Sequence, residues 1–351
     1  MAKRPATIGT LLGLGAAVSF GVSTPISKGL LDSVGPQLLA GLLYLGAFLA
    51  LAVLIPARRH SPEARIRRAD LPRLGALTLA GGIVAPVLLL VGLEQVQAST
   101  GSLLLNLEGP ATLLLGVLVF REHLGRAAAL GAACIFAGAI VLTFPHGSIG
   151  GQMVGIACIA SACACWGLDN NLTQSLTVRD PFSIVTVKTG VAATVNVGIA
   201  LLLGADLPGA SIVGGALLLG AIAFGMSVVL DAYALRLLGA ARESAIFAVA
   251  PFVGAVAAWP LLGEQLGVQE IVAGAIMAVG VLAVLRERHE HAHVHEPLQH
   301  DHVHVHDTHH QHDHAPGTDQ QEPHSHQHQH TRFVHSHAHL SDVHHRHDHG
   351  D

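Results

Sequence analysis

The chain has 351 residues, of which 51% are hydrophobic and only 12% are Asp, Glu, Lys or Arg, about half the charged share of a soluble protein. Its formal charge of −5 is set largely by one segment, residues 289–351, which holds ten of the 24 acidic residues against two arginines, Arg332 and Arg346. A soluble globular domain and a basic nucleic-acid binder are both excluded, and the apolar bulk must be solvated by lipid.

Lys3 and Arg4 precede an apolar run longer than a signal-peptide core and without a clear cleavage site, so it reads as a first span. Further apolar runs follow closely, giving 8–30, 36–56, 73–93, 98–120, 127–144, 153–172, 182–204, 212–235, 243–262 and 268–286. About 20 residues at 1.5 Å each cross roughly 30 Å of hydrocarbon. Backbone groups in lipid must be paired internally, and barrel strands would show short alternating runs, so these are ten helices. The four cysteines, Cys134, Cys158, Cys163 and Cys165, lie inside the apolar runs and are expected to pack. Gly9-x-x-x-Gly13 and Gly151-x-x-x-Gly155 permit close helix contact.

The loop between spans two and three carries Arg58, Arg59, Arg65, Arg67, Arg68 and Arg73, which places it in the cytoplasm. The same alternation puts Arg121 and Arg126, Arg179, Arg236 and Arg242, and Arg286 and Arg288 on that side, while the five loops opposite have no Lys or Arg. Both termini are then cytoplasmic, in a bacterial-type inner or plasma membrane.

The two halves match: Gly9 with Gly155, Phe20-Gly21 with Trp166-Gly167, Glu122-x-Leu-Gly125 with Glu264-x-Leu-Gly267, and Gly138 with Gly280. Five spans per half invert the second relative to the first, an arrangement of many secondary transporters. The expected organisation is a first five-helix repeat over 1–146, a second over 147–288, and a tail over 289–351. Each repeat closes with a proline-centred helix, a Glu at its end and a glycine-bearing final helix: Pro110, Glu122, Gly125 and Gly138, then Pro251, Glu264, Gly267 and Gly280. On these features the chain resembles the EamA branch of the drug/metabolite transporter superfamily over residues 8–286. That resemblance implies a ten-helix basket with a central cavity, in a family whose members export metabolites or take up small organic solutes.

Within the spans, Pro110 and Pro251 lie near the midplane in corresponding helices, freeing the carbonyls of Asn106 and Phe247. Paired interruptions of this kind mark a transporter binding site, or else are packing kinks. Glu108 lies close by, where an ionised side chain costs about 2.5–3.5 kcal/mol; it is expected to face the cavity and exchange a proton, with Asn106 as a hydrogen-bonding neighbour, or to be a buried neutral acid. Its counterpart is Val249. Asp169 and Lys188 stand at equal distances from a turn near residue 178, so they are at similar depth and can pair, with Asn170 and Asn171 completing a polar patch beside Trp166. That pair is either structural or a gate and carboxylate-recognising site. Lys28, Glu94, Asp231, Arg236, Arg242 and Glu243 are near helix ends, where snorkelling explains them.

The tail holds 23 of the 26 histidines, many as His-x-His: His289, His291, His293 and His295; His302, His304 and His306; His324, His326, His328 and His330; His335, His337 and His339. Neutral imidazole suits zinc, nickel and cobalt, and Asp301, Asp307 and Asp313 add oxygen ligands. The segment has no apolar content for a core and is expected to be disordered without metal. Inside the helices there is no Cys, Met or His cluster to carry a dehydrated ion. The sequence therefore points to a secondary transporter of small organic metabolites, proton-coupled and exporting, with a metal-binding tail and no required cofactor. A divalent-metal (Zn/Ni/Co) efflux transporter and a non-transporting membrane metal sensor or scaffold are the alternatives. No nucleophile–base constellation or cofactor motif supports an enzyme.

Overall fold

An apolar chain in lipid has to satisfy its own backbone, and helices do so without outside partners. The computed structural model describes residues 3–58, 64–120, 125–144, 149–176, 179–238 and 240–285, and in the tail 289–295, 299–304, 324–329 and 333–339. The first half comprises α1 (Lys3–Leu31), α2 (Pro36–Leu54), α3 (Leu71–Leu77), α4 (Ala85–Gln95), α5 (Ala98–Leu104), α6 (Glu108–Phe120) and α7 (Arg126–Val141). The second comprises α8 (Ile149–Gln174), α9 (Pro181–Leu202), α10 (Ala210–Gly220), α11 (Ser227–Leu238), α12 (Ala240–Phe247), α13 (Ala250–Leu262) and α14 (Val268–Leu285). Among the described residues nine helical spans are long and apolar enough to cross a membrane, and the tenth expected span is the shorter α7, of 16 residues. Side chains such as Val53 (77% exposed) and Leu202 (89%) point outward, which suits a surface wetted by lipid and would be costly in water.

Four of the spans are interrupted, and the interruptions fall in corresponding places. The third span passes from α3 to α4 through a π-helical turn at Thr78–Val84, and the eighth from α10 to α11 through another at Ala221–Met226. The fourth is broken between α5 and α6 by a 3-10 segment at Leu105–Leu107, and the ninth between α12 and α13 by a turn at 248–249. Pro110 and Pro251 thus stand in the first turns of new helical segments, where a missing N–H costs least.

With no hydrophobic drive between helices inside lipid, packing relies on close backbone approach. The two halves meet where α1 crosses α13: a side chain at Gly21 would strike the carbonyl of Ala250, and one at Gly254 would fall 2.6 Å from the Gly21 oxygen. The half-helix α5 packs on α13, whereas α6 packs on α8, and α12 on α1 and α11. The halves of the broken spans therefore converge at one end and go to different partners at the other. At the end where they converge, Glu264 bridges the repeats: its carboxylate accepts from the amides of Ala98 (2.7 Å) and Ser99 (2.9 Å) at the start of α5. Beside it, Lys28 donates to the Leu93 carbonyl at 2.6 Å.

The opposite end carries the arginine-bearing connections. There Arg179 donates to Asp70 (2.8 Å), and Arg58 pairs with Asp180 (3.3 Å) while lying over the Phe182 ring at 4.7 Å. Asp180 also receives Phe182 N and Ser183 Oγ, capping α9. These bonds fix α3, α8 and α9 together at the basic end.

In the tail, to which the sequence assigns no regular structure, the described backbone runs as β1 (His289–His295), β2 (Gln299–His304), β3 (His324–Gln329) and β4 (Phe333–His339). β1 pairs antiparallel with β4 and β2 with β3, in registers that set His291 against His337 and His302 against His326. Every second residue of these strands shares a face, so the His-x-His repeat is in step with the pairing. His306 and His330 lie outside the described residues.

Candidate functional site

Pro86 is where the polar centre begins. In the π turn the amide of Ala85 bonds the carbonyl of Ala80, five residues back, and the next bond of that series would run from residue 86 to Gly81. Pro86 has no N–H, so the Gly81 carbonyl loses its helical partner. Two side chains replace it: Tyr44 Oη donates at 3.0 Å and Trp166 Nε1 at 3.0 Å. Two carbonyls on, Ile83 accepts from Asn196 Nδ2 at 3.4 Å, and Asn196 in turn accepts from Gln37 at 2.9 Å.

The same turn makes room for a charge pair. Asp169, 4% exposed, lies against Gly81, where any Cβ would collide with its carboxylate. Lys188 Nζ donates to Asp169 Oδ2, and Thr173 Oγ1 donates to Oδ1 at 3.2 Å. Burial on this scale makes each charge depend on the other, because several kcal/mol of desolvation per ion must be offset by the partner. The depth-matching expectation for Asp169 and Lys188 therefore corresponds to an ion pair in the structure.

The next residue along α8 points elsewhere. Asn170 is exposed, and its amide donates to Glu108 Oε1 (2.9 Å) and Thr112 Oγ1 (3.3 Å). Asn171 is buried and donates to the carbonyls of Thr112 (3.0 Å) and Gly167 (2.8 Å), pinning α8 to α6. Glu108 is half-buried at the start of α6, where the N-terminal end of a helix favours negative charge. A half-buried carboxylate and an exposed amide thus sit at the break in the fourth span, with a buried ion pair beside them. That arrangement can hold a solute carrying a cationic or hydrogen-bonding group while the pair behind biases its orientation.

Other expectations need correction. Asn106 does not join Glu108: it is 7% exposed and donates to Leu103 (2.9 Å), the carbonyl three residues back, with Met277 Sδ at 3.9 Å. Its amide serves the backbone left unpaired by the 3-10 segment. Trp166 is 8% exposed and holds Gly81 rather than lining an opening. Glu243 does not snorkel: it is 8% exposed, because α12 turns its first residues back onto α1 and α11. Pro110 is buried and Pro251 half-buried at the two breaks. Tyr44, Gly81, Gln37 and Asn196 went unread in the sequence, although Pro86 inside an apolar run after Gly81-Gly82 was a signal for a freed carbonyl.

Two stretches of the chain, residues 7–144 and 153–286, match the model of the EamA-like transporter family. An uncharacterized transporter of Methanothermobacter thermautotrophicus is 32% identical over 285 residues, covering 76% of this chain and 82% of that protein. A solved crystal structure at 15% identity superposes with a TM-score of 0.59, covering 79% of this chain and 98% of the other, and so shares its fold.

Proposed function

We propose that this chain, which belongs to the EamA-like transporter family, is a proton-coupled secondary transporter that exports small organic metabolites from the cytoplasm. It is a multi-pass protein of the lipid bilayer. The observation that carries the reading is the half-buried Glu108 held by the exposed Asn170 at a helix break, backed by the buried Asp169–Lys188 pair. Broken half-helices bring dipole ends and freed polar groups to one place, which is what a solute crossing lipid needs.

The orientation rests on the arginine-bearing connections, which favour the cytoplasm. The outer half-helices meet and the inner ones diverge, so the conformation corresponds to closure on the external side. Substrate and proton compete for Glu108: the carboxylate binds substrate from the cytoplasm and takes a proton when the site turns outward. On the cytoplasmic side the tail binds zinc, nickel or cobalt through His289, His291, His293, His295, His302, His304, His306, His324, His326, His328, His330, His335, His337 and His339.

A growth screen of a deletion strain across metabolites and metals tests the assignment, comparing the full chain with one cut after Arg288. Metabolite sensitivity rescued by both forms is the expected result. Metal sensitivity rescued only by the full chain would replace the metabolite reading with metal efflux. In proteoliposomes Glu108→Gln should slow flux about 100-fold without loss of insertion, at the low end of the range for removing a proton-transfer group. Wild-type flux in that variant would exclude Glu108 as the carrier. Calorimetry on residues 289–351 should show zinc or nickel binding at micromolar or tighter affinity.

A further inference from the structure

The hairpin formed by α11 and α12 carries two acids that the central site does not use. Asp231 is on α11 and Glu243 is on α12, and the two carboxyl groups face one another closely enough to share a proton. Counting from the connection near residue 239, they lie about 12 and 6 Å along their helices at 1.5 Å per residue. Glu243 is 8% exposed. Oxygens Asp231 Oδ1 and Glu243 Oε1 are both buried and have no hydrogen-bond donor among the described residues. Two facing acceptors without a donor repel one another when both groups are ionised, and a low-dielectric setting magnifies the repulsion. One proton between them removes the second charge and gives both oxygens a bond.

We infer that Asp231 and Glu243 form a proton-binding site that holds one shared proton in the conformation seen here. The elements packed on the hairpin are α1, α14 and the π turn at Ala221–Met226. The charged residues these elements and the hairpin bring to that end are Lys3, Arg4, Arg236 and Arg242, whose side chains fall outside the described ones. Lys28 and Glu270 are at the far ends of α1 and α14. Thr7 and Thr10 of α1 have partners of their own. Ser244 follows Glu243 and hydrogen-bonds it, a contact that leaves Oε1 without a donor.

The site is specific to the second repeat. In the register matching Gly125 to Gly267, Asp231 corresponds to Leu89 and Glu243 to Gly101; in the register matching Pro110 to Pro251, they correspond to Leu90 and Ser102. Neither register gives the first repeat an acid there. Because α12 is the half-helix that separates from α6, a proton on this hairpin ties protonation to the conformation of the basic end. Loss of the proton forces the carboxylates apart and moves α12 relative to α11. The consequence for flux rests on the transport reading above, but the proton itself does not.

Infrared spectroscopy of the full chain in lipid vesicles separates the two. A Glu108→Gln background removes the other candidate acid. In that background a protonated-carboxyl carbonyl band is expected at neutral pH, and it should vanish in both Asp231→Asn and Glu243→Gln, since either amide donates to the remaining carboxylate. Absence of the band before the second substitution, or its survival in either variant, would overturn the proposal. If a variant fails to insert, side-chain 13C-labelled glutamate in the same background gives the second reading: a carboxyl signal that is not fully ionised at neutral pH supports the shared proton, and a fully ionised one overturns it. Loss of the band in that background, with wild-type flux when Asp231→Asn or Glu243→Gln is made alone, would leave the proton site standing and remove its coupling role.

Discussion

The two π-helical turns occupy corresponding spans yet have opposite surroundings. The first, at Thr78–Val84, is surrounded by polar groups: Tyr44, Trp166, Asn196 and the Asp169–Lys188 pair all reach its backbone or lie against it. The second, at Ala221–Met226, meets aromatic rings, with Phe224 5.7 Å from Phe20 and 5.8 Å from Tyr44. The same backbone device thus occurs twice, and the side chains around it decide its use. One copy accepts charge, and the other is a packed joint. Tyr44 touches both, donating its hydroxyl to the first turn and its ring face to the second.

Mutations that treat the two turns unequally probe this division. The largest effect is expected from Lys188→Ala, which leaves Asp169 buried without its cation and should destabilise the protein by about 3–5 kcal/mol in reversible detergent unfolding. Lys188→Met with Asp169→Leu should recover most of that loss; no recovery would mean that the pair is not mutually dependent. Gly81→Ala pushes a methyl group into the Asp169 carboxylate and should cost about 1–3 kcal/mol by overpacking. Gly225→Ala, in the second turn, meets neighbours at 3.3 Å and should cost under about 1 kcal/mol. Equal losses at the two glycines would erase the distinction. Trp166→Phe removes one of two donors to Gly81 and should cost about 1 kcal/mol. Phe20→Leu loses an edge contact to Phe224 and should cost about 0.5–1.5 kcal/mol.

The spans, the breaks near Pro110 and Pro251, and the Asp169–Lys188 pairing were legible because each follows from one-dimensional quantities: apolar length, a missing amide, and equal distance from a turn. The π turns were not, since glycines are common in apolar spans and nothing in their spacing separates a π turn from an ordinary contact. Pro86 was the better clue, but its effect appears only once Tyr44 and Trp166 come from other helices to the carbonyl it frees. Asn106 and Glu243 were misread for related reasons. A side chain's distance along its helix indicates depth, whereas the direction it faces depends on neighbours that the sequence does not order. Glu243 is near a helix end, yet α1 and α11 cover it.

The Glu264 carboxylate on the amides of Ala98 and Ser99 sets an energy scale for the molecule. Hydrogen bonds to a charged group contribute about 1.5–3 kcal/mol each net of the bonds water would make, so parting this contact costs roughly 3–6 kcal/mol even with water taking its place. A solute bound at about 1 mM releases some 4 kcal/mol. The contact between the two halves is therefore of the same size as one weak binding event, so on the transport reading proposed above it is firm enough to hold that end closed and loose enough for a bound solute to open.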